Sequence, residues 1–175
     1  MSMSDVKTSH IEWVKMLPMD KVKCPLLISG VPSLKLKELL AMGFKLKDMP
    51  LYGKPKDNYG PVRLKEAVGE YYGVRPDNIA LVSGANMGIY MAFAALVKSG
   101  DEVIIELPSY DPIRRAAVSV GARIKYLHRP IEHNCQPDPR ELKRLITKRT
   151  KLVFITTLHN PSGVKLEPAV ITGLV

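Results

Sequence analysis

From Ile79 to Thr156 the chain alternates short apolar runs with helix-like segments, and this alternation restricts the possible folds more than any other feature. The predicted strands are Ile79–Val82, Glu102–Glu106, Arg123–Leu127 and Leu152–Thr156, and the predicted helices between them are Asn86–Lys98, Asp111–Val120 and Asp138–Ile146. Strands separated by helices at this spacing form right-handed βαβ units. The sequence therefore predicts an α/β fold with a three-layer, mostly parallel sheet and flanking helices.

The segment before this alternation is predicted to be helical with one loop. In Ser33–Leu46, leucines recur at helical spacing, and Ser33 is the expected N-cap. Met49–Gly60 is rich in Pro, Gly, Asp and Asn, which indicates a loop. Val62–Tyr72 is predicted to be a second helix, ended by Gly73.

The net charge suggests nucleic-acid binding and the longest uncharged segment suggests a membrane span, but the sequence favours neither. The formal net charge is +9, but the basic residues are scattered among apolar ones, which favours weak anion attraction and no dedicated nucleic-acid binding. Ile79–Val97 is uncharged and long enough to cross a bilayer. Ser83, Gly84 and Asn86 near its middle favour a strand, a turn and a helix, so no membrane span is predicted.

The cysteines and histidines do not indicate a disulfide framework or a metal site. Two cysteines, Cys24 and Cys135, are too few for a disulfide scaffold, so a reducing, cytoplasmic location is expected. The first residues also lack the apolar core of a signal peptide. His128, Glu132, His133 and Cys135 lie close together, but their spacing fits no zinc pattern.

Residues suited to ligand binding follow three of the predicted strands, at the edge where open α/β sheets bind ligands. The small residues of Ser83–Asn86 open a helix, so that backbone N–H groups can contact a phosphate. Tyr110 and Asn160 follow two further strands and offer a flat ring and an amide. Taken singly, these are also typical of a plain turn, a packing tyrosine and a turn asparagine. Together they predict a site for a phosphorylated aromatic cofactor.

Three segments are distinctive in their order and spacing: NYGPVRLKEAVGEYYG, LVSGANMGIYMAFAALVKSGDEVIIELPSYDPIRRAAVSVGA and TTLHNPSGV. They resemble the class I/II aminotransferases, which are pyridoxal-phosphate enzymes of fold type I, from about Leu27 to the last residue. The resemblance implies pyridoxal 5'-phosphate as cofactor and an amino acid and a 2-oxo acid as substrates, as in aspartate aminotransferase. It also implies a homodimer in which both subunits build each site.

The resemblance assigns a role to each matching residue. Gly84, Ala85 and Asn86 would hold the cofactor phosphate. Tyr110 would stack on the pyridine ring, and Asn160 would hydrogen-bond the phenolic oxygen of that ring. The backbone of Gly30 would approach the substrate carboxylate, and Tyr59 or, failing that, Tyr52 would reach the phosphate of the neighbouring subunit. The family's later Asp, Schiff-base Lys and Arg would follow Val175. We therefore expect no catalytic residue in this chain, which would be inactive alone.

The same resemblance implies a division of the chain and leaves several alternatives. Residues 1–48 would be an N-terminal arm and a small-domain helix, and residues 49–175 the first part of the cofactor-binding large domain. Pro168 predicts a helix that is cut within its apolar face, so the chain is expected to be truncated. The alternatives are an inactive half that dimerises or pairs with a separate C-terminal half, and a pyridoxal-phosphate lyase. A regulator would need a DNA-binding module, for which residues 1–32 are too short.

Overall fold

The protein is described by a computed structural model, which covers residues 13–14, 16–18, 21–24, 33–48 and 60–174. The chain divides into two compact units, Met1–Leu81 and Val82–Val175. The boundary expected after residue 48 adjoins residues 49–59, which lie outside the described residues. That boundary therefore stays a prediction.

The described part of the first unit is helical. Its elements are helix α1 (Leu36–Ala41), a 3₁₀ turn (Leu46–Asp48), helix α2 (Val62–Tyr72) and a second 3₁₀ turn (Pro76–Asn78). Helix α2 has the predicted bounds, and Gly73 ends it in the left-handed conformation at φ +66°. Helix α1 is shorter than predicted and is not capped by Ser33. It begins after Lys35, because the Glu38 carboxylate accepts the Lys35 backbone N–H at 2.6 Å.

The second unit contains the alternating strands and helices. Its elements are α3 (Ala85–Leu96), β1 (Glu102–Leu107), α4 (Asp111–Ser119), β2 (Arg123–His128), α5 (Pro139–Leu145), β3 (Thr150–Phe154) and α6 (Pro168–Leu174), with a 3₁₀ turn at Ile131–His133. The three strands are parallel in the order β2–β1–β3. The predicted elements between residues 86 and 156 are confirmed, with ends that differ by at most two residues.

Strand β1 is the centre of two hydrophobic cores because both of its faces are buried. Val103 packs with Phe93 of α3 and Ile113 of α4, whereas Ile104 packs with Leu142 of α5. Successive side chains of a strand point to opposite faces. Helices α3 and α4 therefore cover one face and α5 covers the other, which confirms the predicted three-layer α/β fold.

The segment Ile79–Val82 is not a strand, so this part of the prediction was wrong. Ile79 has φ −117° and ψ 124°, yet no strand pairs with the segment within residues 60–174. An apolar run favours an extended backbone, but a strand also needs a hydrogen-bonded neighbour.

Helix α3 carries most of the uncharged segment and has 12 residues. Throughout the described residues, every helix is too short or too polar to cross a bilayer.

Candidate functional site

Loops from all three strands meet at one edge of the sheet. Because β1, β2 and β3 are parallel, their carboxyl ends lie together, followed by the loops Pro108–Tyr110, Arg129–Pro130 and Thr156–Gly163. This is the edge at which open α/β sheets bind ligands.

A buried ion pair joins the first two of these strands. Glu106 lies near the end of β1 and Arg129 directly follows β2, and both side chains are fully buried. Arg129 Nη1 donates to Glu106 Oε2 at 2.6 Å, and Arg129 Nε donates to the carbonyl oxygen of Cys135, also at 2.6 Å. Such charge-assisted bonds offset part of the cost of removing both charges from water.

The same carboxylate reaches the loop after β3. The backbone N–H of Thr156 donates to Glu106 Oε1 at 2.9 Å, and the Thr156 hydroxyl donates to the same oxygen. Arg129 Nη1 also donates to the carbonyl oxygen of Thr156 at 3.0 Å. The backbone N–H of Asn160 in turn donates to Thr156 Oγ1 at 3.2 Å. Hydrogen bonds therefore connect Glu106, through Thr156, to Asn160, which is one of the residues predicted to bind a ligand.

His159 ties the loop after β3 to the loop after β1. Its Nε2 lies 2.9 Å from the carbonyl oxygen of Pro108, which can only accept, so Nε2 carries the proton. In the neutral ring, Nδ1 is then the acceptor for the Ser162 hydroxyl at 2.6 Å. The ring is buried, and its backbone N–H donates to the carbonyl oxygen of Val164 at 2.9 Å. These bonds hold the loops of Tyr110 and Asn160 against each other.

Tyr110 and Asn160, which lie in the two loops that His159 holds together, have different surroundings. Tyr110 immediately precedes α4, is half-buried and packs against the core cluster that contains Phe93 and Ile113. Asn160 is exposed, and within the described part of the chain its side-chain amide has no hydrogen-bond partner. The amide is therefore free to bind a ligand, whereas the ring of Tyr110 is held by packing.

The Ser83–Asn86 turn is exposed and lacks a side-chain cap. Gly84 precedes α3 with φ +87° and ψ 160°, a conformation that is essentially restricted to glycine. A Cβ at this position would meet nothing within 4 Å, so the space above the turn is open. The first N–H groups of a helix need partners from outside the helix, and an anion suits them. The turn therefore fits a phosphate group.

Helix α3 points this turn toward the edge that carries the joined loops. Leu96, at the other end of α3, lines a surface cavity together with Asp101 and Lys151, which lie at the amino ends of β1 and β3. A helix of this length spans about 18 Å, close to the roughly 20 Å of a six-residue strand. No hydrogen bond between described residues joins the turn to either loop.

Two of the predicted site positions lie outside the described residues, and His128, from the segment in which no metal site was predicted, contacts a glutamate. Gly30 and Tyr59 lie outside the described residues, as does the alternative Tyr52. His128 Nδ1 contacts Glu141 Oε1 at 2.7 Å. Among the described residues, no three His, Cys, Asp or Glu side chains form a group suited to a metal ion.

The residues that tie the loops together were not assigned a role from the sequence. Glu106, Arg129, Thr156 and His159 are separated by up to 53 positions, and they meet only through the sheet. One signal was present: Glu106 ends an otherwise apolar run, and a buried carboxylate requires a partner.

A second glutamate lies at the amino end of β1 and has other partners. Glu102 is 2.7 Å from Lys125 Nζ, accepts from the Thr147 hydroxyl at 2.6 Å and contacts Arg149 at 2.9 Å. Hydrogen bonds from Lys125 above all, and then from Thr147, lower the pKa of Glu102 from 4.5 to about 2. Because this cluster lies at the opposite edge, it stabilises the sheet and takes no part in the candidate site.

Solved structures share this fold. A PLP-dependent aminotransferase from Streptococcus suis matches with a TM-score of 0.72 and 27% identity, over 82% of this chain and 40% of that one. An alanine aminotransferase from Pyrococcus furiosus matches with a TM-score of 0.69 and 23% identity, over 78% of this chain and 35% of that one. The fold is therefore the α/β fold of aminotransferases.

The sequence comparisons identify the family. The family model of aminotransferase class I and II matches residues 34–175. The chain belongs to this family. It is 36% identical over 118 residues to an aspartate aminotransferase of Pyrococcus horikoshii, covering 63% of this chain and 30% of the relative. It is 33% identical over 150 residues to a methionine aminotransferase of Escherichia coli, covering 74% of this chain and 39% of the relative. The chain thus spans well under half the length of these relatives.

Proposed function

We propose that this chain supplies the cofactor-holding part of a pyridoxal 5'-phosphate-dependent aminotransferase. The complete protein would exchange an amino group between an amino acid and a 2-oxo acid. One observation carries the proposal: the His159–Pro108 bond holds the loops of Tyr110 and Asn160 together at the carboxyl edge of the sheet. Membership of the aminotransferase family supports it.

Each residue of the proposed site binds or orients one part of the cofactor. The N–H groups of Ala85 and Asn86 would hold the phosphate at the start of α3, where Gly84 leaves space. The half-buried ring of Tyr110 would stack on the pyridine ring, and the free amide of Asn160 would donate to the ring oxygen. When bound, pyridoxal phosphate supplies a carbonyl carbon for the amino group and a ring that withdraws electrons.

The proposal extends to the positions outside the described residues. Gly30 would lie against the substrate carboxylate, and Tyr59 or Tyr52 would reach the phosphate of a second subunit in a homodimer. None of the residues proposed here to touch the cofactor is a lysine. We therefore propose that this chain alone binds the cofactor without turning over substrate.

Binding of pyridoxamine 5'-phosphate to the full chain tests the proposal. This probe lacks an aldehyde, so it does not react with the chain's many lysines, and equilibrium dialysis measures its dissociation constant. Pyridoxamine without the phosphate is the matched probe and should bind far more weakly. Asn160→Ala should weaken binding about two- to tenfold, as expected for one hydrogen bond. Gly84→Ala should also weaken it, because alanine does not adopt the Gly84 conformation without strain.

Asn78→Ala is the control, since Asn78 is an exposed asparagine in the other unit. It should leave both dissociation constants unchanged. Equal binding of the two probes, or binding unaffected by Asn160→Ala, would contradict the proposed site.

A further inference from the structure

We infer that Glu106 and Arg129 are positioning residues that act through Thr156 to hold Asn160 in place. The inference rests on the proposed function, in which the Asn160 amide faces the ring oxygen of the cofactor. Neither charged residue reaches the surface, so their effect on a ligand must be indirect.

The first step is the fixed orientation of the Glu106 carboxylate. Arg129 Nη1 holds Oε2 at 2.6 Å, and Arg129 is itself anchored by the carbonyl oxygens of Cys135 and Thr156. A guanidinium that makes bonds in several directions has little rotational freedom. The other carboxylate oxygen, Oε1, is therefore presented to the loop after β3 in one orientation.

The second step is the direction of the hydrogen bonds at Thr156. An ionised carboxylate only accepts, so both the backbone N–H and the hydroxyl of Thr156 must donate to Oε1. The hydroxyl proton is thus committed, and Oγ1 is left with lone pairs. Asn160 N–H donates to one of them at 3.2 Å. The buried charge of Glu106 therefore determines which way the hydroxyl faces and gives the Asn160 backbone a fixed acceptor.

The third step shows that the position of Asn160 can be altered without unfolding the loop after β3. The loop after β3 is also held by His159, which uses Pro108, Ser162 and Val164 and not Thr156. Thr156→Val keeps the approximate shape of the side chain and the backbone N–H bond to Glu106, and replaces the hydroxyl with a methyl group that can neither donate nor accept. This variant should therefore fold while it releases Asn160.

The sheet offers a matched control at its opposite edge. Thr147 Oγ1 donates to Glu102 Oε2 at 2.6 Å, so Thr147→Val also removes a threonine hydroxyl from a glutamate of β1. It lies far from Asn160. Thr156→Ser is the rescue variant, because it restores an Oγ.

The experiment combines two readouts on the full chain. Hydrogen exchange of the Asn160 backbone amide is followed by ¹H–¹⁵N NMR. Equilibrium dialysis gives dissociation constants for pyridoxamine 5'-phosphate and for its 3-deoxy analogue, which lacks the ring oxygen. Thr156→Val should speed the exchange and weaken binding of pyridoxamine 5'-phosphate about threefold, a fraction of one hydrogen bond. Binding of the 3-deoxy analogue should not change, Thr156→Ser should restore both readouts, and Thr147→Val should alter neither.

A double-variant cycle tests the path from Glu106. Replacing the pair together, as Glu106→Leu with Arg129→Met, removes the acceptor of Thr156 and leaves no charge buried. This change should act in the same direction as Thr156→Val, and adding Thr156→Val to it should cost no more, because both remove one shared connection. Additive losses, equal losses for both probes, or unchanged Asn160 exchange in Thr156→Val would overturn the inference. If the unaltered chain binds neither probe, the proposed function fails, and the exchange measurement alone then decides whether Thr156 holds Asn160.

Discussion

Replacing Arg129 by methionine should destabilise the chain strongly, because it leaves the Glu106 carboxylate buried without its cation. The side chains of both residues have no exposed surface. Arg129→Met also removes the donors to the carbonyl oxygens of Cys135 and Thr156. Removing one partner of a buried pair costs about 3–5 kcal/mol.

The details of the site place the expected loss near the lower end of that range. Arg129 Nη2 is buried and has no hydrogen-bond partner among the described residues, so the native pair already carries one desolvation cost that methionine removes. Methionine also fills much of the space of the arginine stem, which limits the cavity. We therefore expect a loss of about 3 kcal/mol in the free energy of unfolding.

Urea denaturation followed by circular dichroism measures this loss by linear extrapolation. The control is Arg75→Met, since the Arg75–Asp77 pair is exposed, with 81% and 80% of the side chains accessible. It should change stability by less than about 1 kcal/mol. The double variant Glu106→Leu with Arg129→Met should recover part of the loss, because no charge is left buried. An Arg129→Met chain within about 1 kcal/mol of the unaltered one would refute the reasoning, since a surface pair costs no more than that.

Two further substitutions test other parts of the structure. Glu102→Gln should make the free energy of unfolding less dependent on pH. In the folded chain Lys125, and then Thr147, lower the pKa of Glu102 from 4.5 to about 2. The stability that Glu102 contributes is therefore present above pH 4.5 and is lost as the pH falls toward 2. Thermal melts across that window check this, and an unaltered pH dependence in the variant would contradict it. Gly69→Ala should destabilise the first unit, because its Cβ would lie 2.6 Å from the carbonyl oxygen of Val74. Urea unfolding should show a loss on the order of 1–3 kcal/mol, typical of overpacking, and an unchanged midpoint would show that the end of α2 can shift.

Local sequence was sufficient for most of the secondary structure. Helix α2 ends at Gly73 because glycine adopts the left-handed conformation without penalty, and this property belongs to the residue itself. The bounds of β1 and α4 likewise follow from an apolar run and from a proline in the first turn. These signals extend over a few residues, so they can be read along the chain.

Elements that depend on distant partners were predicted less well. Ile79–Val82 has the composition of a strand but lacks a pairing neighbour among the described residues, and composition does not report neighbours. The N-cap of α1 is Lys35 and not the predicted Ser33, because the Glu38 carboxylate accepts the backbone N–H of Lys35. The positions of Tyr110 and Asn160 could be predicted as strand exits, and their roles came from a family resemblance.

The amino-acid sequence by itself determined the layered α/β architecture and the turn at Gly84, because periodic burial and backbone freedom act over short distances. Only the tertiary structure decided how the strand exits are joined. Glu106 meets Arg129 across 23 positions and Thr156 across 50, and His159 meets Pro108 across 51. Burial of a charge forces such contacts to form, but which residues form them is fixed by the pairing of β1 with both of its neighbours.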